Sequence, residues 1–240
     1  MRKLLFLAFV AITLCGCGDS SNDLEVIEET RNPPEIWWNG EGYRTWVSPH
    51  FITEYIVPTK IKAINNVPGN IYIQATGDVY KTYSGKNNKD YDKSLFFSQM
   101  YGDTSYNSTV HERQHPALAY PIEKMTIKCD KDFDAEHPAG ESLDDIARFK
   151  FETYDDFIKS GYTAYKDNPL WLDPEEEVFL LPFNSVNADV TKLVGANLAH
   201  YSIGNIKFVS VPEELGDYPF TLEVTINGKV FKSEFTFTFE

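Results

Sequence analysis

From Phe220 to Phe239 apolar and polar residues alternate on both sides of one Asn-Gly pair. Phe220, Leu222, Val224 and Ile226 are interleaved with Thr221, Glu223 and Thr225. Beyond Asn227-Gly228, Phe231, Phe235, Phe237 and Phe239 share one parity, and Lys232, Glu234, Thr236 and Thr238 the other. A period of two sends the two sets to opposite faces of a strand. Asn-Gly suits a type I′ turn, in which both central residues take positive φ. The segment therefore reads as an antiparallel hairpin with one buried face and one wetted face.

Other runs extend this pattern. Glu54–Val57, Lys60–Ile64, Ile71–Ala75, Ile122–Cys129, Glu177–Phe183 and Asn205–Val211 read as further short strands. Tyr83 to Pro121 is rich in Asn, Ser, Asp, Lys and Tyr, and reads as a long loop or as small irregular strands. Ser142-Leu143-Asp144-Asp145 resembles a capping box, which predicts a helix to about Phe149, with a second near Tyr154–Lys159. Many short strands separated by turn residues predict a mainly β chain. The expected architecture is an antiparallel, immunoglobulin-like β-sandwich over 35–240 with one or two short helices.

The first 34 residues have a different character. Arg2 and Lys3 precede an apolar run from Leu4 to Leu14, of signal-peptide length and too short to span a bilayer. Leu14-Cys15-Gly16-Cys17 resembles the bacterial lipobox, in which Leu and a small residue precede an invariant Cys. The resemblance implies cleavage between Gly16 and Cys17 and a lipid on Cys17. Several acyl chains hold far better than one, because each buried CH₂ adds about 0.8 kcal/mol. Residues 17–34 are polar and acidic and read as a flexible tether ending at Pro33-Pro34. The expected location is the cell envelope, at the outer membrane, with the choice between surface and periplasmic face left open.

Loss of Arg2 and Lys3 with the leader moves the formal net charge from −14 to −16. So acidic a chain is a poor ligand for nucleic acid, whose phosphates require Lys and Arg. It is equally unsuited to an anionic lipid surface, so the acyl group would be the only membrane contact. With Cys17 acylated and Cys15 removed, Cys129 is the last of the three cysteines, and no intrachain disulfide can form. The core must hold by burial alone, and 17 Phe, 14 Tyr and 4 Trp supply the apolar area.

Three groups of residues invite chemistry. His111-Glu112-Arg113-Gln114-His115 matches the zinc-protease pattern H-E-x-x-H, in which two His one helical turn apart hold the metal. Pro116 drives His115 out of the α region, and Asp103–Thr109 is poor helix material, so the motif is rejected. Asp130, Asp132, Asp134 and Glu141 occupy alternate and terminal positions of a calcium-loop template. Ala135 stands where such a loop needs glycine, and a solvated acidic turn is the competing reading. Trp37, Trp38, Tyr43 and Trp46 could form an aromatic platform for sugar rings, or pack into the fold. No nucleophile elbow and no phosphate-binding glycine loop occurs, and Cys129 at the end of an apolar run reads as a small core residue. No catalytic residue and no cofactor is assigned, with calcium as the one candidate ion.

The stretch Ile127-Lys128-Cys129-Asp130-Lys131-Asp132-Phe133, followed by Pro138-Ala139-Gly140-Glu141-Ser142-Leu143-Asp144-Asp145, is similar to a family of Bacteroidetes envelope lipoproteins. In that family a strand, an Asp-Phe turn and a Pro-Ala-Gly-x-x-Leu-x-Asp segment recur, with no catalytic residues assigned. The resemblance covers about thirty residues and implies the lipoprotein class. The functional expectation is a non-catalytic module that binds a glycan or a partner protein. The alternatives are a hydrolase with a carboxylate site of unrecognised spacing and a structural envelope component. Replacing Cys17 with Ala should release a soluble, folded protein. Fatty-acid labelling of the Cys17→Ala variant would show that the anchor has been misassigned.

Overall fold

The computed structural model describes residues 37–38, 44–67, 69–83, 89–111, 115–163, 180–183, 193–196 and 201–240. The leader, Cys17, the tether and Tyr43 lie outside them. In chain order the strands are β1 (Trp37–Trp38), β2 (Arg44–Ser48), β3 (Glu54–Val67), β4 (Asn70–Lys81), β5 (Ser108–His111), β6 (Pro116–Leu118), β7 (Ile122–Cys129), β8 (Ala147–Lys150), β9 (Leu180–Pro182), β10 (Ser202–Phe208), β11 (Gly216–Ile226) and β12 (Lys229–Phe239). Helix α1 (Lys89–Tyr101) follows β4, and α2 (Asp155–Lys159) follows β8. The chain is mainly β, as its alternation requires, with the strands in three sheets ordered β1-β2-β5, β6-β3-β4-β10-β8-β9 and β12-β11-β7.

The C-terminal hairpin matches its sequence pattern residue for residue. β11 and β12 pair in unbroken register from Gly216–Phe239 to Ile226–Lys229. Asn227 and Gly228 have φ of 49° and 68°, the positive values of a type I′ turn. Phe220, Leu222, Val224, Ile226, Phe231 and Phe239 are buried. They meet Ile61, Ile71, Ile73, Phe149, Ile203 and Ile206 from the six-stranded sheet in a shared apolar cluster. Strand β12 also touches β3 directly: the Ala63 amide donates to Ser233 Oγ at 3.0 Å, and Asn65 Nδ2 donates to the Thr236 carbonyl.

Two expectations are corrected locally. The polar stretch from Tyr83 to Pro121 holds the small strands β5 and β6, one of the two readings, but also the unexpected helix α1. Asp90 and Asp92 in its first turn complement the helix dipole. Its buried face combines Leu95 and Phe97 with Ser94 and Ser98, so apolar periodicity is too weak to reveal it. The expected helix from Ser142 to Phe149 is instead a single turn running into β8. Ser142 Oγ does accept a hydrogen bond, from the Asp144 amide at 3.2 Å, but the segment is committed to β7. The Leu143 amide donates to the Ile127 carbonyl at 2.9 Å, the Gly140 amide to the Cys129 carbonyl at 2.7 Å, and the Ile127 amide to Asp144 Oδ1 at 2.8 Å. These bonds cover the free edge of the hairpin sheet, which would otherwise present unpaired backbone. The second expected helix is present as α2. The two runs Glu54–Val57 and Lys60–Ile64 are one strand interrupted by a register shift at Pro58.

At that shift β3 passes very close to β4. A Cβ at Gly77 would sit 2.0 Å from the Val57 carbonyl oxygen and 2.8 Å from Pro58 Cα, both backbone atoms. Gly77→Ala should therefore cost roughly 3 kcal/mol or more. Equilibrium urea unfolding measures this, and a loss below about 1 kcal/mol would mean that the bulge has room to move.

Candidate functional site

The densest group of buried polar residues lies where β2 hands over to β3, beneath α1. Ser48, His50, Thr53, Glu54, Thr82, Ser94, Ser98, Asp103 and His115 are each at most 3% exposed. Helix α1 delivers Asp103 through a Schellman-type ending. The Gly102 amide bonds the Gln99 carbonyl, the Asp103 amide bonds the Ser98 carbonyl, and Gly102 takes φ of 73°. Asp103 then accepts from the Phe51 amide at 2.7 Å, the Ile52 amide at 2.8 Å and the Tyr162 hydroxyl at 2.9 Å. Burial raises the pKa of its carboxyl above the ordinary range, and the two amides pull it back.

His50 lies beside this carboxylate but is not relayed to it. Its Nδ1 is 2.5 Å from the Asp103 carbonyl oxygen, which can only accept, so Nδ1 carries the proton. In the neutral ring Nε2 is then an acceptor, and it is buried with no hydrogen-bond partner. His115 stacks on Phe51 at a centroid separation of 4.0 Å. Glu54, fully buried, accepts from the hydroxyls of Tyr83 at 3.1 Å and Tyr201 at 3.4 Å, with Lys81 Nζ at 3.9 Å. Chemically, the arrangement is a set of buried acceptors holding backbone amides and tyrosine hydroxyls. It joins residues 50, 103 and 162, a separation that no local motif betrays. The one signal in the sequence was Gly102-Asp103 after a run able to form a helix.

The residues singled out by sequence fall elsewhere. Trp46 is fully buried, with its ring 4.6 Å from that of Tyr83, so its face is closed to a sugar. This corrects its place in the aromatic platform. Trp37 and Trp38 form β1, which pairs with β2, and Tyr43 lies outside the described residues. His111 ends β5, a strand in which the helical spacing of a zinc motif cannot arise, and Glu112 is outside the described residues. His115 is in the interior, away from a solvent-exposed metal position.

The candidate calcium ligands bind their own loop. Asp132 Oδ1 accepts the Ala139 amide at 2.7 Å. Asp134 Oδ1 accepts the amides of Glu136 and His137, each at 2.9 Å, and lies 2.7 Å from His137 Nδ1. Asp130 and Glu141 are exposed, and among the described residues no group of three or more His, Cys, Asp or Glu is placed to hold a metal ion. Of the four candidates Asp130, Asp132, Asp134 and Glu141, the middle two are thus engaged with amides of their own loop. His137 is clamped, with Nε2 3.2 Å from both carboxylate oxygens of Asp145. Burial opposes the charged imidazole, but its hydrogen bonds to Asp134 and Asp145 outweigh this and raise the His137 pKa, while Asp134 is lowered by the same contact and by its amides. Cys129 is buried and unpaired, and burial raises its thiol pKa, the opposite of an activated nucleophile.

Among the described residues no helix is long and apolar enough to cross a membrane. Comparison with protein-family models, with curated proteins and with solved structures finds no match.

Asp103→Asn keeps the shape of the side chain but turns one acceptor into a donor facing a buried amide. It should cost about 2 kcal/mol, read from urea unfolding with wild-type slope. His137 behaves differently. A histidine whose folded pKa is raised contributes stability below its unfolded pKa and loses it as pH rises through the folded value. His137→Gln should therefore lower the melting temperature clearly at about pH 5.5 and much less at about pH 9. An equal loss at both pH values would show that the ring stabilises the turn by packing alone.

Proposed function

We propose that this chain is a lipid-anchored envelope lipoprotein whose β domain is a non-catalytic module that binds a partner protein. The observation that carries the reading is where the reactive side chains go. Asp103, Glu54 and Cys129 are buried, and the two carboxylates spend their oxygens on backbone amides and tyrosine hydroxyls. A general acid or base needs a substrate proton within hydrogen-bond reach. The lipobox-like Leu14-Cys15-Gly16-Cys17 supports the anchor, and the segment from Ile127 to Asp145 supports kinship with the Bacteroidetes lipoproteins. In our reading the six-stranded and hairpin sheets pack as an immunoglobulin-like sandwich; the apolar cluster they share supports this. A protein partner is preferred to a glycan because Trp46, the platform residue whose side chain is described, is buried.

Photo-cross-linking amino acids at exposed Val47, Met100, Val211 and Val230 of the full-length chain, in living cells, test this. A discrete protein adduct from at least one position is expected. Adducts from none, together with turnover of a polysaccharide or peptide by the purified chain, would replace the module with an enzyme.

A further inference from the structure

The connection between β10 and β11 holds three aliphatic side chains in water. Val209, Val211 and Leu215 are 59%, 67% and 62% exposed. The connection is nevertheless fixed. The Val209 amide donates to the Ile146 carbonyl at 3.0 Å, the Glu213 amide to the Phe133 carbonyl at 3.1 Å, and the Tyr218 hydroxyl to the Glu214 carbonyl at 2.6 Å. Pro212, next to Val211, is buried. A backbone already tied down presents apolar groups without an ordering cost at binding.

Carboxylates outnumber cations around this connection, with Lys207 and Arg148 on the β10–β8 pair just before it. The turn bonded to it, residues 130–145, carries seven carboxylates against one lysine. That lysine, Lys131, lies over the ring of Tyr218 at 4.2 Å. Glu213, Glu214 and Asp217 are exposed on the connection itself and just after it. An apolar centre with a charged rim is the layout of a protein interface. The rim repels nucleic acid, anionic lipid and a second copy of this acidic chain. Aliphatic side chains give a sugar ring no aromatic face to stack on. Only a basic polypeptide with apolar side chains of its own uses both features.

The patch lies at one end of the six-stranded sheet. In the β10–β4 pairing Ile206 faces Ile71, so Val209 lies beyond the Asn70 end of β4. The rings of Trp46 and Tyr83, 4.6 Å apart and tilted, lie beyond the Lys81 end. Twelve residues of strand separate the two ends, about 36 Å at roughly 3.3 Å per residue.

We infer that Val209, Val211 and Leu215, rimmed by the acidic turn, form the docking surface for a basic, apolar-bearing segment of a partner protein. The inference rests on the interaction-module reading above and names its surface. The test uses the full-length acylated chain in phosphatidylcholine nanodiscs, with empty discs as reference. The probes are three short synthetic peptides alternating Lys with Leu, Lys with Ser, and Glu with Leu. The Lys/Leu peptide should bind best, and salt should weaken it. Val211→Ser with Leu215→Ser, and separately Glu213→Lys with Glu214→Lys, should each weaken it about tenfold. Val230→Ser, on an equally exposed residue beside the β11–β12 turn, should leave binding unchanged. Equal binding by the Lys/Ser peptide, or wild-type binding by both double variants, overturns the docking surface. In cells, adducts from Val47 or Met100 with none from Val211 overturn the surface but leave the module standing. Adducts from no position overturn both.

Discussion

Burial of the apolar face of the β11–β12 hairpin against the six-stranded sheet is the contact on which the rest of this fold depends. Cys129 is the sole free thiol among the described residues, and no cross-link helps it. A fully buried Leu, Val or Phe contributes on the order of 1.5–3 kcal/mol. The hairpin supplies Phe220, Leu222, Val224 and Ile226 from one strand alone. Aromatic contacts then bind the far end together: Phe133 lies 5.8 Å from Tyr218 and 5.6 Å from Phe239, and Phe208 stacks on Phe220 at 5.2 Å. The acidic turn from Asp130 to Asp145 is thus nailed to the core by Phe133 and Leu143, while its carboxylates stay at the surface, on its own amides or, for Asp144, on the Ile127 amide of β7.

The hairpin was legible because every level of its sequence agrees. Alternation, turn chemistry and β-branched or aromatic content all ask for the same structure. Strand β7 was legible for the same reason. Helix α1 was not, because Ser94 and Ser98 occupy its buried face, Ser94 Oγ bonding back to the Tyr91 carbonyl of the same helix and Ser98 Oγ bonding the Tyr55 hydroxyl. A pattern built on apolar residues cannot see a face that is half serine. The segment after Ser142 misled in the opposite direction. Ser142 does cap, but Asp145 turns to His137, and tertiary demand from the edge of β7 outweighs local propensity.

The candidate site was hidden more deeply. Asp103, His50 and Tyr162 come from three separate connections, and their proximity is created by the α1 ending and the β2–β3 crossing. Side chains that act through hydrogen bonds to backbone leave no spacing rule in the sequence. The described residues of the two motifs that looked chemical are engaged otherwise. His111 sits on a strand, and Asp132 and Asp134 turn back onto their own amides.

Interior and surface therefore divide the polar residues by role. Inside, the carboxylates of Asp103 and Glu54 are matched to amides and hydroxyls, and such matching rigidifies the fold at little net gain in stability. Outside, Asp132, Asp134, Asp144 and Asp145 hold the turn together, while the exposed aliphatic side chains of the β10–β11 connection have no task within the fold. Holding like charges together costs self-repulsion. The acyl anchor proposed on Cys17 would make a small patch sufficient. Held by it near one membrane, the domain would meet a partner in the same membrane at high effective concentration. Three aliphatic side chains and an acidic rim would give weak affinity in free solution, and confinement converts weak affinity into occupancy.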